Sequence, residues 1–191
     1  MKFTALATLI ACGIAAHAHA GNWTLDGDAS HLAFGSIKND YTAEVHSFAG
    51  LSGQATDEAV SVTIDLSTVQ TNIDIRDERM QEHVFAGLVT AELSAAIDLA
   101  QFDALAAGES ATTEFDGTLS FLGEDVSVYT NVVVFRLGDD SVMVTTNDMV
   151  FLATDELGID SGIDTLQELA SLDGITRATP VTARLVFTRE D

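Results

Sequence analysis

Three histidines, His31, His46 and His83, carry the most versatile side chains beyond the first twenty residues, because imidazole can act as acid, base or metal ligand near neutral pH. They have no partner at i+2 or i+4 and fall in different expected elements. A zinc site needs closer ligand spacing and a supporting shell, so no metal and no other cofactor is expected. The carboxylate pairs Glu124-Asp125 and Asp139-Asp140 sit where turns are expected, and turn chemistry accounts for them. The chain contains no Gly-x-Ser-x-Gly, no His-Glu-x-x-His, no glycine-rich phosphate loop and no calcium loop. Catalysis would therefore rest on an isolated histidine, and a binding role is expected instead. Cations are scarce, which singles out Arg76, beside Asp77, and Arg79. The commoner meaning of such a cluster is a surface ion pair worth under about 1 kcal/mol. Its functional alternative is a guanidinium gripping the polar head of an apolar ligand at a pocket mouth.

These arginines lie in a passage, Val60 to Phe85, that contains neither glycine nor proline. Val60, Val62, Ile64 and Leu66 alternate with Ser61, Thr63, Asp65 and Ser67, the period of a strand with one buried face. The period then changes. Thr71 and Asp74 have the spacing of a capping box, and Ile73, Met80 and Val84 fall on one side of the helix that follows.

Elsewhere the pattern is mostly strand. Extended stretches are expected at Trp23 to Ile37 and Val45 to Ser52, followed by alternation at Ala91 to Leu99 and at Phe115 to Phe121. Leu122 to Asp125 reads as a hairpin turn into Val126 to Leu137. Gly138 to Asp140 is the next turn, into a strand over Val142 to Leu152, and a last strand runs from Val181 to Thr188. A second helix is expected over Ile159 to Ala170, capped by Asp160 or Ser161 and closed by Gly174. Seven to nine short strands joined by tight turns, with two helices, point to an all-β fold: a closed antiparallel barrel with helical caps.

Residues 1–20 read as a secretory signal peptide, with Lys2 before an apolar run and Ala18-His19-Ala20 as a small-x-small cleavage signal. A lipoprotein box ending at Cys12 is the less favoured alternative, because only eleven residues precede it. Residues 21–191 are expected to form one domain with a substantial core. Cys12 is the only cysteine, so the domain must be held by apolar burial without disulfides. No other stretch is apolar for long enough to span a bilayer. The formal charge of -22 repels phosphate backbones and anionic headgroups, which argues against nucleic acid and electrostatic membrane docking.

An eight-stranded barrel has an interior either filled by side chains or wide enough for one small ligand. The small residues expected to face inward, Ala91, Ala95, Gly117 and Ala183, favour a hollow one, since alanine and glycine leave volume unfilled. The expected lining is Phe34, Phe48, Val62, Ile64, Leu93, Ile97, Phe115, Leu119, Phe121, Val144, Leu185 and Phe187, with Arg76 and Arg79 at the entrance.

Several of these residues carry a resemblance. Trp23-Thr-Leu-Asp26, Ser30-His31-Leu-Ala-Phe34, Phe48-Ala-Gly50, Val62 to Thr71, Arg76-Asp77, and Gly117-Thr-Leu119 with Gly123, in this order and spacing, resemble the YceI-like family of exported lipid-binding proteins. The likeness covers nearly all of Asn22 to Arg189. It departs at Thr90-Ala91-Glu92-Leu93, where relatives often carry proline and phenylalanine, and the helical insert of Gly158 to Gly174 is similar to one branch only. The resemblance implies a single eight-stranded, lipocalin-like antiparallel barrel with two short capping helices. It also implies a periplasmic binding or carrier protein for an isoprenoid (quinone or polyprenol) or another long-chain amphiphilic lipid, and a homodimer as in some relatives. The alternatives are a lipid-modifying enzyme using His31, His46 or His83 inside the barrel, and a solid-cored protein-interaction module.

Overall fold

The computed structural model describes residues 22–189, so residues 1–20, expected to be a signal peptide and including Cys12, lie outside the described residues. Alternating apolar residues form the strands β1 (Trp23–Lys38), β2 (Thr42–Ala55) and β3 (Ala59–Gln70), and the chain then enters α1 (Asp74–Arg79), which widens into a π-type turn at Met80–Val84. Next come β4 (Thr90–Ala96), a 3-10 turn at Leu99–Phe102, β5 (Ser110–Phe121), β6 (Glu124–Gly138), β7 (Ser141–Thr146), β8 (Val150–Ala153), α2 (Asp160–Leu169) and β9 (Ala178–Arg189). Each of β1 to β6 pairs antiparallel with its successor, β7 pairs with β9, and β9 pairs back with β1. This closes an eight-stranded antiparallel barrel with no free edge across the ring.

The expected strand over Val142 to Leu152 is interrupted at Asn147–Met149 and becomes β7 and β8, both paired to β9. The interruption lets the chain leave β6 after Thr146 while keeping its bonds to β9. Closure of the two hairpins follows expectation, with Phe121 opposite Glu124 and Gly138 opposite Ser141.

Both helix starts differ from the expected caps. Asp74 does not form a box with Thr71; the N-cap position is Ile73, which offers no side-chain acceptor. Asp77 takes over, accepting from the Thr71 amide at 3.0 Å and from the Thr71 hydroxyl. In α2 the N-cap is Ile159, and Asp160 instead accepts from the Thr154 hydroxyl at 2.5 Å, tying the helix to a buried residue just past β8. The left-handed residue that ends α2 is Ser171, at φ 53°, ahead of Gly174. A glycine is required elsewhere: a Cβ at Gly162 would collide with the His83 carbonyl and sit 2.8 Å from Val84 Cα. Its absence lets α2 lie directly on the π-type turn.

Two apolar clusters divide the interior. Trp23, Leu25, Leu51, Ala55, Val62 and Phe187 fill one end of the barrel as a floor, with the guanidinium carbons of Arg136 and Arg189 at 5.4 and 5.2 Å from the Trp23 ring centroid. At the other end Leu66, Met80, Val84, Phe85, Leu157 and Ile159 join the helices to the barrel wall.

Candidate functional site

Between the floor and the helical caps lies a cavity of about 520 Å³. Strand alternation turns Phe34, Phe48, Ile64, Leu93, Phe115, Leu119, Phe121, Val144 and Leu185 into it, and Arg76 and Arg79 border it from α1. Val62 and Phe187 also face inward, but they belong to the floor beneath the cavity and do not line it. Ile97 lies one residue beyond the end of β4, where strand alternation no longer aims it, and is likewise outside the lining.

Of the small residues, Ala91 and Ala183 line the cavity, whereas Ala95 and Gly117 border a shallow outer groove over β2 to β5. That groove encloses about 640 Å³ but is open to solvent and bounded by Gln54, Ser61, Glu92 and Thr118. Polar walls and shallowness make it a poor ligand site compared with the enclosed apolar cavity. Gly117 serves packing instead: a Cβ there would lie 2.7 Å from the Phe115 ring.

Aromatic rings form a continuous wall. Phe34 stacks on Phe48 with centroids 5.2 Å apart, Phe48 meets Phe85 at 6.0 Å, and Phe85 meets Phe121 edge-on at 6.2 Å. These are favourable offset and T-shaped distances. The mouth is marked by lining residues that are also exposed: Ile73, which precedes α1, and Ile75 within it, 43% and 51% exposed, and Ala170 after α2. Ile73 therefore lies at the rim while its expected companions Met80 and Val84 are buried.

All the ionisable residues of the lining, Lys38, Glu44, His46, Arg76 and Arg79, come from β1, β2 and α1. Glu44 receives Lys38 Nζ at 3.0 Å and Arg76 Nη1 at 2.8 Å, and Arg76 Nη2 donates to the Thr71 carbonyl at 2.6 Å. Burial acts to raise the Glu44 pKa, but the hydrogen bonds from Lys38 and Arg76 outweigh it and hold the carboxyl below its ordinary value. His46 is only 5% exposed; burial, reinforced by the Arg76 charge, pushes its pKa down and keeps the ring neutral. Its Nε2 shares a hydrogen bond of 3.1 Å with Ser36 Oγ, and its ring lies 5.2 Å from Phe34.

Sequence reasoning did not place Ser36, Lys38, Glu44 or His46 in one site. Their even spacing, Ser36 with Lys38 and Glu44 with His46, was the available signal, since residues i and i+2 share a face of a strand. The three histidines stay apart: His31 is exposed on β1, and His83 is half-buried on the π-type turn, 3.7 Å from Glu82. Among the described residues no group of three or more histidine, cysteine or acidic side chains is placed to hold a metal, and no helix is long and apolar enough to cross a membrane.

The family model of the YceI-like domain matches residues 23–160. Among solved structures, the chain is similar to a polyisoprenoid binding domain from Saccharophagus degradans implicated in plant cell wall breakdown, at 33% identity and TM-score 0.85, covering 88% of this chain and 98% of that one. It also shares its fold with Burkholderia cenocepacia BcnA, at 15% identity and TM-score 0.64, over 85% of this chain and 98% of that one. No curated protein matches.

Proposed function

Because the chain belongs to the YceI-like family, we propose that it is a non-catalytic carrier that holds an isoprenoid, such as a quinone or polyprenol, or another long-chain amphiphile inside its barrel. The observation that carries this reading is the enclosed cavity of about 520 Å³, walled by aromatic and aliphatic side chains with its ionisable groups gathered near one edge. That volume lies within the usual range of ligand pockets. Each methylene moved from water into such a space contributes about 0.8 kcal/mol, so a prenyl or acyl tail is held by area alone. The tail term cares little about chemistry, and selectivity must come from the head. Similarity to a solved polyisoprenoid binding domain supports an isoprenoid as the tail. Export to the periplasm through residues 1–20 completes the proposal, since a lipid carrier of this kind would work between membranes.

Native mass spectrometry of protein purified from its own host, followed by organic extraction, tests it. A stoichiometric long-chain lipid is expected. A lipid-free chain that also fails to take up a fluorescent prenyl probe would overturn the carrier reading.

A further inference from the structure

We propose that the mouth end of the barrel is a membrane-docking surface, which inserts an apolar rim into an uncharged stretch of bilayer while the cavity loads or unloads. The inference rests on the carrier reading and adds the partner that supplies the lipid. Five of the eleven large apolar side chains exposed among the described residues, Ile37, Tyr41, Ile73, Ile75 and Leu169, belong to the segments around this mouth. Hydrogen bonds hold these segments at one end. Asn39 N donates to Gly174 O and Thr176 N to Ile37 O, both at 2.9 Å, which fixes the β1–β2 turn beside the loop that follows α2. Arg76 Nη1 on Glu44 at 2.8 Å ties α1 to the start of β2. Tyr41, in that turn, is 82% exposed, and a phenol there suits the level of lipid headgroups.

The shape of the patch favours a bilayer over a folded partner. Ile73 and Ile75 line the cavity as well as facing solvent, so apolar surface runs unbroken from the cavity to the outside. The centre of the patch is therefore an opening. A folded partner needs a filled centre, since binding energy concentrates in buried anchors there, whereas a fluid bilayer follows the rim and meets the opening with its own lipid. A second copy docked mouth to mouth is disfavoured by charge. Exposed Asp40, Asp74, Glu168 and Asp173 stand in the same segments, and like charges would face one another across the contact. Those acids, in a chain of formal charge -22, equally repel anionic lipid. Docking therefore runs on apolar area, and its salt dependence is the reverse of that of a basic membrane binder.

The test uses protein purified from its own host and delipidated, with a fluorescent prenyl probe presented either free in solution or in vesicles. Phosphatidylcholine vesicles should bind the protein. Adding phosphatidylglycerol should weaken that binding at low salt, and raising the salt should restore it. Tyr41→Ser combined with Leu169→Ser, at two rim positions that do not line the cavity, should lower vesicle binding and the rate of probe transfer from vesicles about tenfold or more. Affinity for the free probe should stay unchanged. Leu137→Ser, which removes an exposed leucine at the floor end beside Arg136, should alter neither. Docking is overturned, with the carrier reading left standing, if the free probe binds while vesicles do not, or if phosphatidylglycerol strengthens binding and salt weakens it. It falls too if the double variant loses a concentration-dependent dimer but keeps the wild-type rate of transfer from vesicles. Failure to take up the probe from either source overturns the carrier reading and this inference with it.

Discussion

His46 is the residue whose environment differs most from what its sequence neighbours suggest. It sits on a strand between exposed Val45 and half-buried Ser47, yet is almost wholly enclosed, its ring 5.2 Å from Phe34 and within the field of the Arg76 and Glu44 charges. Its folded pKa is depressed below the ordinary 6.5 by burial first and the Arg76 charge second. The unfolded chain therefore binds more protons than the folded one between the depressed value and 6.5, and stability rises with pH through that window. Glu44 adds in the same direction at lower pH. Its carboxyl is held below 4.5, so its contribution is present above that value and fades as pH falls through the lowered one. Urea midpoints measured from pH 7.5 down to pH 5 should fall. In His46→Gln, which cannot titrate, the slope between pH 6.5 and 5 should flatten.

At the scale of elements, strand parity was legible in the sequence and depth was not. Alternation in β3 and β9 put Val62 with Ile64 and Phe187 with Leu185 on the inner face, which is where they are. Two residues along a strand are about 7 Å, enough to move a side chain from the cavity into the floor, and that step depends on where the barrel's other strands end. Ile97 shows the same limit from another side, since the end of β4 is set by pairing with β3 rather than by its own residues. The helices were legible as amphipathic runs, but their ends were not: Thr71 bonds Asp77 and Asp160 bonds Thr154, each six residues away, in place of the standard cap spacing. Ser171 marks one such end at φ 53°, a conformation that costs a residue with a Cβ about 1 kcal/mol. Ser171→Gly should therefore raise unfolding free energy by roughly that amount, or slightly less after glycine's own entropy cost. Gly162→Ala should do the opposite, by about 1–3 kcal/mol, because the added methyl meets backbone that cannot turn aside. Urea denaturation of the two variants reads both signs.

For the whole molecule, the division into floor, cavity and helical cap means that stability and capacity are separable. The floor is a packed core of Trp23, Leu51, Val62 and Phe187 that lies beneath the cavity without lining it. The caps are held by Met80, Val84, Leu157 and Ile159. Between them the barrel wall is maintained by strand pairing around the full ring, so the space it encloses does not have to be filled for the fold to persist. A solid-cored barrel would respond to added volume with strain; this one should respond with lost capacity. Ala183 offers the probe, because it faces the cavity from β9 at a regular ladder position opposite Leu32. Ala183→Phe places a benzyl group in the space and buries new apolar area, at about 25 cal/mol per Å². The expected result is a urea midpoint equal to or above wild type together with at least a tenfold loss of prenyl-probe affinity. A lowered midpoint with unchanged uptake would mean that the wall at Ala183 is tightly packed and the ligand lies elsewhere. The contrast with Phe187→Leu separates the two roles: shaving the floor should cost about 1–2 kcal/mol of stability and leave uptake intact, since the residue lies below the cavity rather than along it.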